Sequence, residues 1–196
     1  NDILTNLHNS RLGCVIKHVC VNSFMYADDL ILLFISLVEL QLMVDICVLE
    51  LNSIDLKLNL SKCNCLRFGK RFSDKCCDIT VSDMHLKWVT ETRYLGIYLK
   101  SGKQLCFNLD IGRQKFFYSI NSIISKVGND PSLVLPLCNS FCIPVLLYGV
   151  EVMNLPTYLK KRLDHPLNML FYKLFKSGDN LVLCQCQYFM NCLPVN

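Results

Sequence analysis

Phe24-Met25-Tyr26-Ala27-Asp28-Asp29-Leu30-Ile31-Leu32 sets two carboxylates side by side between two apolar, β-prone runs, Val19 to Met25 and Leu30 to Ile35. Two such runs separated by a short polar step read as a hairpin with the acids at its bend. Adjacent carboxylates are costly to hold together: two like charges about 4 Å apart repel by roughly 4 kcal/mol at the effective dielectric of a protein surface. A divalent cation removes that cost. Mg²⁺ takes oxygen ligands, keeps several waters, and is commonly held by one or two carboxylates plus substrate phosphates. A tight turn between buried strands would hold such ligands rigidly and leave their oxygens open. A plain polar turn is the commoner role of an Asp-Asp pair. Tyr26-Ala27 and the apolar flanks are what move the reading here toward a metal site.

Downstream, Ser36 with Glu39 three residues on makes a capping-box signal, and Leu40, Met43, Val44, Cys47, Leu51 and Ile54 recur at helical spacing. A helix of four to five turns is expected behind the hairpin. After Asn52 the pattern breaks into short strand-like pieces at Leu56 to Leu60, Cys63 to Phe68, Ile79 to Val81, Leu86 to Val89 and Tyr94 to Leu99. From Gln104 the helical period returns, with Leu105, Leu109, Phe116, Ile120, Ile123 and Val127 on one face and Gly128 placed to end it. Asp130-Pro131 starts another helix, which Pro136 and Pro144 should bend or break. A third helical segment spans about Pro156 to Phe175, expected to be interrupted before Pro166 and closed by Gly178. The chain therefore divides near Ser101-Gly102 into residues 1–102, mixed α and β, and residues 103–196, helical. No internal repeat or low-complexity tract is present.

The 196 residues are 52% hydrophobic and 18% charged, a composition that excludes intrinsic disorder and is ample for a packed core. A formal charge of +4 fits a nucleic-acid partner and equally fits many enzymes of small substrates. The cations are unevenly placed: Lys57, Lys62, Arg67, Lys70, Arg71 and Lys75 follow closely, and Lys160, Lys161 and Arg162 form a second group. A solvated face is the ordinary reading of such runs. No apolar run reaches the roughly 18 residues that cross a bilayer, because Glu39 and Asp45 interrupt the richest region. With no secretory leader and an odd count of 13 cysteines, reduced thiols in a soluble intracellular protein, nuclear or cytoplasmic, are expected. The start at Asn1-Asp2-Ile3-Leu4 reads as the tail of a helix and suggests a piece of something longer.

Phe24-Met25-Tyr26-Ala27-Asp28-Asp29-Leu30 resembles the catalytic turn of reverse transcriptases, in which an aromatic residue and Ala precede two Asp, and among them those of non-long-terminal-repeat retrotransposons. Further matches come in the family's order. Leu56-Lys57-Leu58-Asn59-Leu60-Ser61-Lys62 resembles the Leu-x-Leu-Asn-x-x-Lys segment after the palm helix. Tyr94-Leu95-Gly96 resembles the hairpin that grips the primer end. Leu146-Leu147-Tyr148-Gly149-Val150-Glu151 resembles a thumb signature, with Met153 where a Trp is common. The resemblance implies an α+β polymerase palm, an antiparallel sheet carrying the Asp-Asp turn and backed by a helix, followed by a helical thumb. It further implies RNA-directed DNA synthesis using Mg²⁺, with Mn²⁺ as a substitute, on an RNA template and DNA primer with deoxynucleoside triphosphates. By that likeness Asp28 and Asp29 are metal ligands, Lys62 serves the departing pyrophosphate, and Tyr94, Leu95 and Gly96 position the primer. The plainer readings are an exposed lysine for Lys62 and an ordinary hairpin turn for Tyr94 to Gly96.

Family members carry another metal-binding Asp on an earlier palm strand and a Gln-Gly and Ser-Pro segment after it; neither is in this sequence. Asp2 matches the end of the helix after that segment and cannot stand in. This chain alone is therefore expected not to polymerise DNA. The alternatives are a non-catalytic, nucleic-acid-binding or inert remnant of a decayed mobile element, and an unrelated α+β interaction domain whose Asp-Asp turn is accidental. Cys184, Cys186 and Cys192 lack zinc spacing: no Cys-x-x-Cys pair occurs and His165 lies far upstream, so buried or idle thiols are expected there and at Cys63, Cys65, Cys76 and Cys77.

Overall fold

The computed structural model describes residues 2–189, in two compact units that meet in sequence between Phe107 and Asn108. The first is mixed α+β, with small, mostly antiparallel sheets, and the second is helical.

The first unit opens with α1 (Asp2–Asn9), then β1 (Cys14–Ile16) and β2 (Val19–Val21), then β3 (Ser23–Tyr26) and β4 (Asp29–Leu32), and then α2 (Leu37–Ser53). The expected Val19–Met25 strand is two strands, because Asn22 turns the chain from one hairpin into the next. Asn22 is only 4% exposed. Its Nδ2 donates to the Leu7 carbonyl at 2.6 Å, its Oδ1 accepts from the Ser23 hydroxyl at 3.0 Å, and its carbonyl accepts from the Leu33 N–H at 2.7 Å. Gly13 lies against it with φ +110. A Cβ there would stand 2.6 Å from Asn22 Cβ and 2.9 Å from the Leu33 carbonyl oxygen, so no other residue fits without displacing backbone.

Leu40, Met43, Val44 and Cys47 of α2 are buried as their spacing requires; Leu51 is half-buried, and Ile54 lies past the helix end, exposed. Met43 and Cys47 join Leu7 of α1, with Leu30 and Leu32 of β4 packed against them. Leu40 and Val44 join Cys65, Ile79, Val81 and Leu86, so one helix serves two clusters. Ser36 caps α2 with extended backbone, but its side chain makes no capping bond. The capping box does not form: one Glu39 oxygen is buried without a partner, and the carboxylate lies close enough to Cys14 to add to the burial that raises its thiol pKa.

Beyond α2 come β5 (Asn64–Cys65), β6 (Thr80–Val81), β7 (Met84–His85), β8 (Lys87–Trp88), β9 (Glu91–Tyr94), β10 (Ile97–Lys100) and β11 (Cys106–Phe107). Leu56 to Leu60 is not a strand; Leu58 and Leu60 pack on the α2 cluster from an irregular segment. Tyr94 to Leu99 is not one strand but the end of β9, the Leu95-Gly96 turn and most of β10. Instead of one sheet there are four two-stranded ladders and the three-stranded β11-β10-β9, with β5 and β8 parallel. Pairing is dominated by two-residue loops. Lys17-His18, Ser82-Asp83 and Leu95-Gly96 have φ > 0 at both positions, the signature of type I′ turns. Gln41 of α2 ties β6 in by donating to the Thr80 carbonyl and accepting from the Thr80 N–H.

The second unit holds α3 (Asp110–Val127), α4 (Pro131–Leu137), α5 (Ile143–Leu146), α6 (Thr157–Phe175) and α7 (Asn180–Phe189). Leu105 is half-exposed ahead of β11 and not on the α3 face, because the helix starts only at Asp110. Gly128 ends α3 with φ +78, and Asp130 caps α4 by accepting from the Ser132 N–H, with Pro131 in the first turn. Pro136 is followed by a π-helical turn at Cys138–Cys142, so the expected break is a change of winding. α6 runs unbroken through Pro166, which is fully buried beside Leu163 and Leu167; that packing offsets the missing backbone donor. Lys176 in the left-handed region, not Gly178, closes α6. Asp110 bonds Arg162 at 2.6 Å and Asn121 accepts from Lys173 at 3.3 Å. Both pairs share a sequence offset of 52, so α3 and α6 run parallel.

Gly13→Ala is expected to destabilise the first unit by about 2 kcal/mol or more, and Asn22→Ala by about 1–3 kcal/mol, read as lowered urea midpoints. In the second unit, burial pushes the Asp110 carboxyl up, but the hydrogen bond from Arg113 and the charge and hydrogen bond of Arg162 outweigh it and hold the group below its ordinary value. A lowered native value adds stability above the unfolded value that is lost as pH falls through the native one. The advantage of wild type over Asp110→Asn in urea unfolding should therefore be full above pH 5 and shrink below about pH 4.

Candidate functional site

The Asp-Asp turn forms because β3 and β4 pair in strict register, Ser23 with Leu32, Phe24 with Ile31, Met25 with Leu30 and Tyr26 with Asp29. That leaves Ala27-Asp28 as a two-residue loop. Ala27 has φ +53 while Asp28 is not left-handed, which matches the φ pattern of a type II′ turn, whose first position favours glycine. An alanine there is strained by roughly 1 kcal/mol.

Alternation along the strands then decides which way each acid lies. Leu30 and Leu32 share the face packed on α2. Asp29 therefore lies on the opposite face with Ile31 and its cross-strand neighbours Tyr26 and Phe24, which are 67% and 53% exposed. Asp28 occupies the bend itself. Both acids are exposed, and among the described residues neither carboxylate accepts a hydrogen bond or joins an ion pair. The oxygens remain available to a cation, held by a hairpin whose back is fixed by the α2 core. This donor set fits Mg²⁺, a hard cation that takes carboxylate oxygens and retains water. It would supply two protein ligands; among the described residues no group of three or more His, Cys, Asp or Glu is arranged to hold a metal.

Tyr94, Leu95 and Gly96 form the tip of the β9–β10 hairpin, Tyr94 pairing with Ile97. Leu95 and Gly96 have φ +46 and +85, so Gly96 suits its place while Leu95 is strained there and 38% exposed. Behind the tip the Arg93 guanidinium lies 5.9 Å from the centre of the Tyr98 ring. Lys62 lies in an exposed turn before β5, its N–H bonded to the Asn59 carbonyl. Asn59 Oδ1 accepts from the Ser61 N–H and hydroxyl, which shapes that turn. Among the described residues no hydrogen bond or ion pair joins Lys62 to Asp28 or Asp29.

Asn22 and Gly13, which seat the hairpin, carry no motif in the sequence; the polar pair Asn22-Ser23 inside the otherwise apolar Val19–Met25 run is the only signal of their role. Cys63 and Cys65 have raised thiol pKa values, chiefly from burial, with Cys65 at about 11, so neither is a ready thiolate. Cys192 lies outside the described residues. In the second unit a shallow hollow of about 360 Å³, lined by Gln114, Lys115, Tyr118, Ser119 and Val145, contains none of the residues singled out from sequence. No helix among the described residues is long and apolar enough to cross a membrane.

No protein-family model matches the chain, and no curated protein or solved structure gives a significant match.

Replacing Ala27 by glycine should relieve the turn and raise the urea midpoint by an amount equivalent to about 0.5–1 kcal/mol, whereas Ala27→Val should lower it. Equal midpoints for all three chains would show that the bend is not strained.

Proposed function

We propose that this chain is the back part of a reverse transcriptase palm followed by thumb sequence, from a retrotransposon of the kind that lacks long terminal repeats. The observation that carries the reading is Tyr26-Ala27-Asp28-Asp29 at a two-residue bend, both carboxylates exposed and unengaged. The parental reaction is RNA-directed DNA synthesis, in which a primer 3′ hydroxyl attacks a deoxynucleoside triphosphate and pyrophosphate leaves.

Asp28 and Asp29 would hold Mg²⁺, which when bound supplies the charge that activates the hydroxyl and offsets the leaving group. The chain's own part is otherwise positioning. The Leu95-Gly96 tip, stiffened by its two left-handed residues, would bear on the primer end, with Tyr94 at its base. Lys62, on its Asn59-shaped turn, would bring a cation or a proton to pyrophosphate. By the resemblance, two carboxylates are fewer than the family's full set, and these 196 residues are expected not to polymerise by themselves.

The test is a Mn²⁺ titration of the chain followed by electron paramagnetic resonance. Saturable binding should weaken by roughly tenfold (about 1.4 kcal/mol) or more in Asp28→Asn and also in Asp29→Asn. Asp45→Asn, on the exposed side of α2, should leave it unchanged. Equal binding by all four proteins would remove the metal site and with it the polymerase reading. On a primed RNA template the chain should incorporate no deoxynucleotide, and Asp28-dependent synthesis would overturn that expectation.

A further inference from the structure

Residues 57–75 hold Lys57, Lys62, Arg67, Lys70, Arg71 and Lys75 against the single acid Asp74. Six cations less one acid is +5 in a chain of net +4, so all the remaining residues together are net −1. The molecule's positive charge is therefore concentrated in one stretch, and the fold gathers four of its six cations, Arg67, Lys70, Arg71 and Lys75, onto a closed loop.

That loop runs from Arg67 to Cys76. Its ends are drawn together by the Arg67 guanidinium, which donates to the Asp74 carbonyl at 3.2 Å and to Cys76 Sγ at 2.7 Å. Its base is tied to the chain just past β10. The Ser101 hydroxyl donates to the Arg67 carbonyl at 2.6 Å, the Gly69 N–H to the Gly102 carbonyl at 3.0 Å, and Phe68 bridges Gly102. Inside the loop, the Phe72 N–H bonds the Gly69 carbonyl and the Asp74 N–H the Arg71 carbonyl, making two consecutive turns. Lys70, Arg71 and Lys75 are exposed on those turns, and among the described residues none of them is in an ion pair. Like charges confined to a closed loop repel one another, and an exposed charge run on a flexible segment would relieve this by spreading. Here the backbone is held against the repulsion, so an anionic ligand would find the cations already gathered, with little ordering cost left.

We propose that the Arg67–Cys76 loop binds the phosphate backbone of a nucleic-acid strand. The inference rests on the polymerase reading for the choice of ligand and extends it to a second contact. Gly102, at the loop base, follows Gly96 by six residues along β10, up to about 20 Å of extended chain. At about 3.4 Å of axis per nucleotide of a duplex strand, a primer whose end rests on Tyr94 to Gly96 would meet the loop roughly five or six base pairs back.

The experiment is fluorescence anisotropy of the full chain with a labelled DNA primer annealed to RNA, in EDTA, over about 50 to 200 mM NaCl. Gln at the three exposed positions, in Lys70→Gln/Arg71→Gln/Lys75→Gln, should make the slope of log affinity against log salt shallower by about 2 to 3 units. The charge-matched Lys160→Gln/Lys161→Gln/Lys176→Gln in the helical unit should change the slope by less than half as much, with circular dichroism confirming that both variants fold. Ser101→Ala, which loosens the loop base without altering charge, should weaken binding several-fold at unchanged slope. Equal slopes for the two triple variants, or no salt-dependent binding by wild type, would overturn the proposal. So would displacement of the duplex by polyglutamate or phosphatidylserine vesicles as readily as by unlabelled duplex, since either would mark a surface that reads charge alone. The duplex is measured in EDTA and the Mn²⁺ titration without duplex, so failure of the metal site and failure of the loop are distinguishable.

Discussion

The buried amide of Asn22 is the constraint on which the candidate site depends. A two-stranded ribbon is marginal in water unless something fixes it. Here one side chain bonds the end of α1 while its own backbone receives the N–H just after β4. The hairpin is thereby fastened at its root, and Leu30 and Leu32 settle onto Met43 and Cys47 of α2. Only then does strand alternation place Asp29 on the outer face and Asp28 at the bend. Gly13 belongs to the same constraint, because any larger residue would push Asn22 out of reach of Leu7.

Strain accumulates where this chain turns. Ala27 and Leu95 both occupy left-handed backbone that glycine would hold at less cost, and each sits at a hairpin tip singled out for function. Lys17, His18, Ser82 and Asp83 do the same at two other hairpins with no assigned role, so left-handed backbone by itself does not mark a site. The Ala27-Asp28 bend is set apart by its chemistry, because the strained residue leads directly into adjacent carboxylates with no partner among the described residues.

The long periodic signals are the legible ones. α2, α3 and the capped start of α4 follow from apolar spacing, Gly128 and Asp130-Pro131, because each is a local preference that packing reinforces. The Asp-Asp hairpin is readable for the same reason. The failures share a different cause, tertiary context overriding a local rule. Pro166 reads as a break, yet its ring is fully buried within α6, and that burial compensates for the absent N–H. Ser36 and Glu39 have the capping-box spacing, but Glu39 turns inward near Cys14. The strand-like pieces suggest a single sheet, and local two-residue turns instead close four hairpins on themselves, with β5 and β8 paired in parallel across the chain.

That last outcome bears on chemistry. Among the described residues β3 and β4 pair only with each other, so neither outer edge of the Asp-bearing ribbon has a strand partner there. The outer side of α2 carries apolar residues as well, Val38 and Leu49 being each about 70% exposed on either side of Asp45. Two carboxylates can retain a cation weakly, but rigid placement of a reacting phosphate needs a fuller set of ligands from a neighbouring element. The same ribbon thus presents the acids and the unpaired edges, and a strand added beside β3 or β4 would bring new side chains level with Asp29.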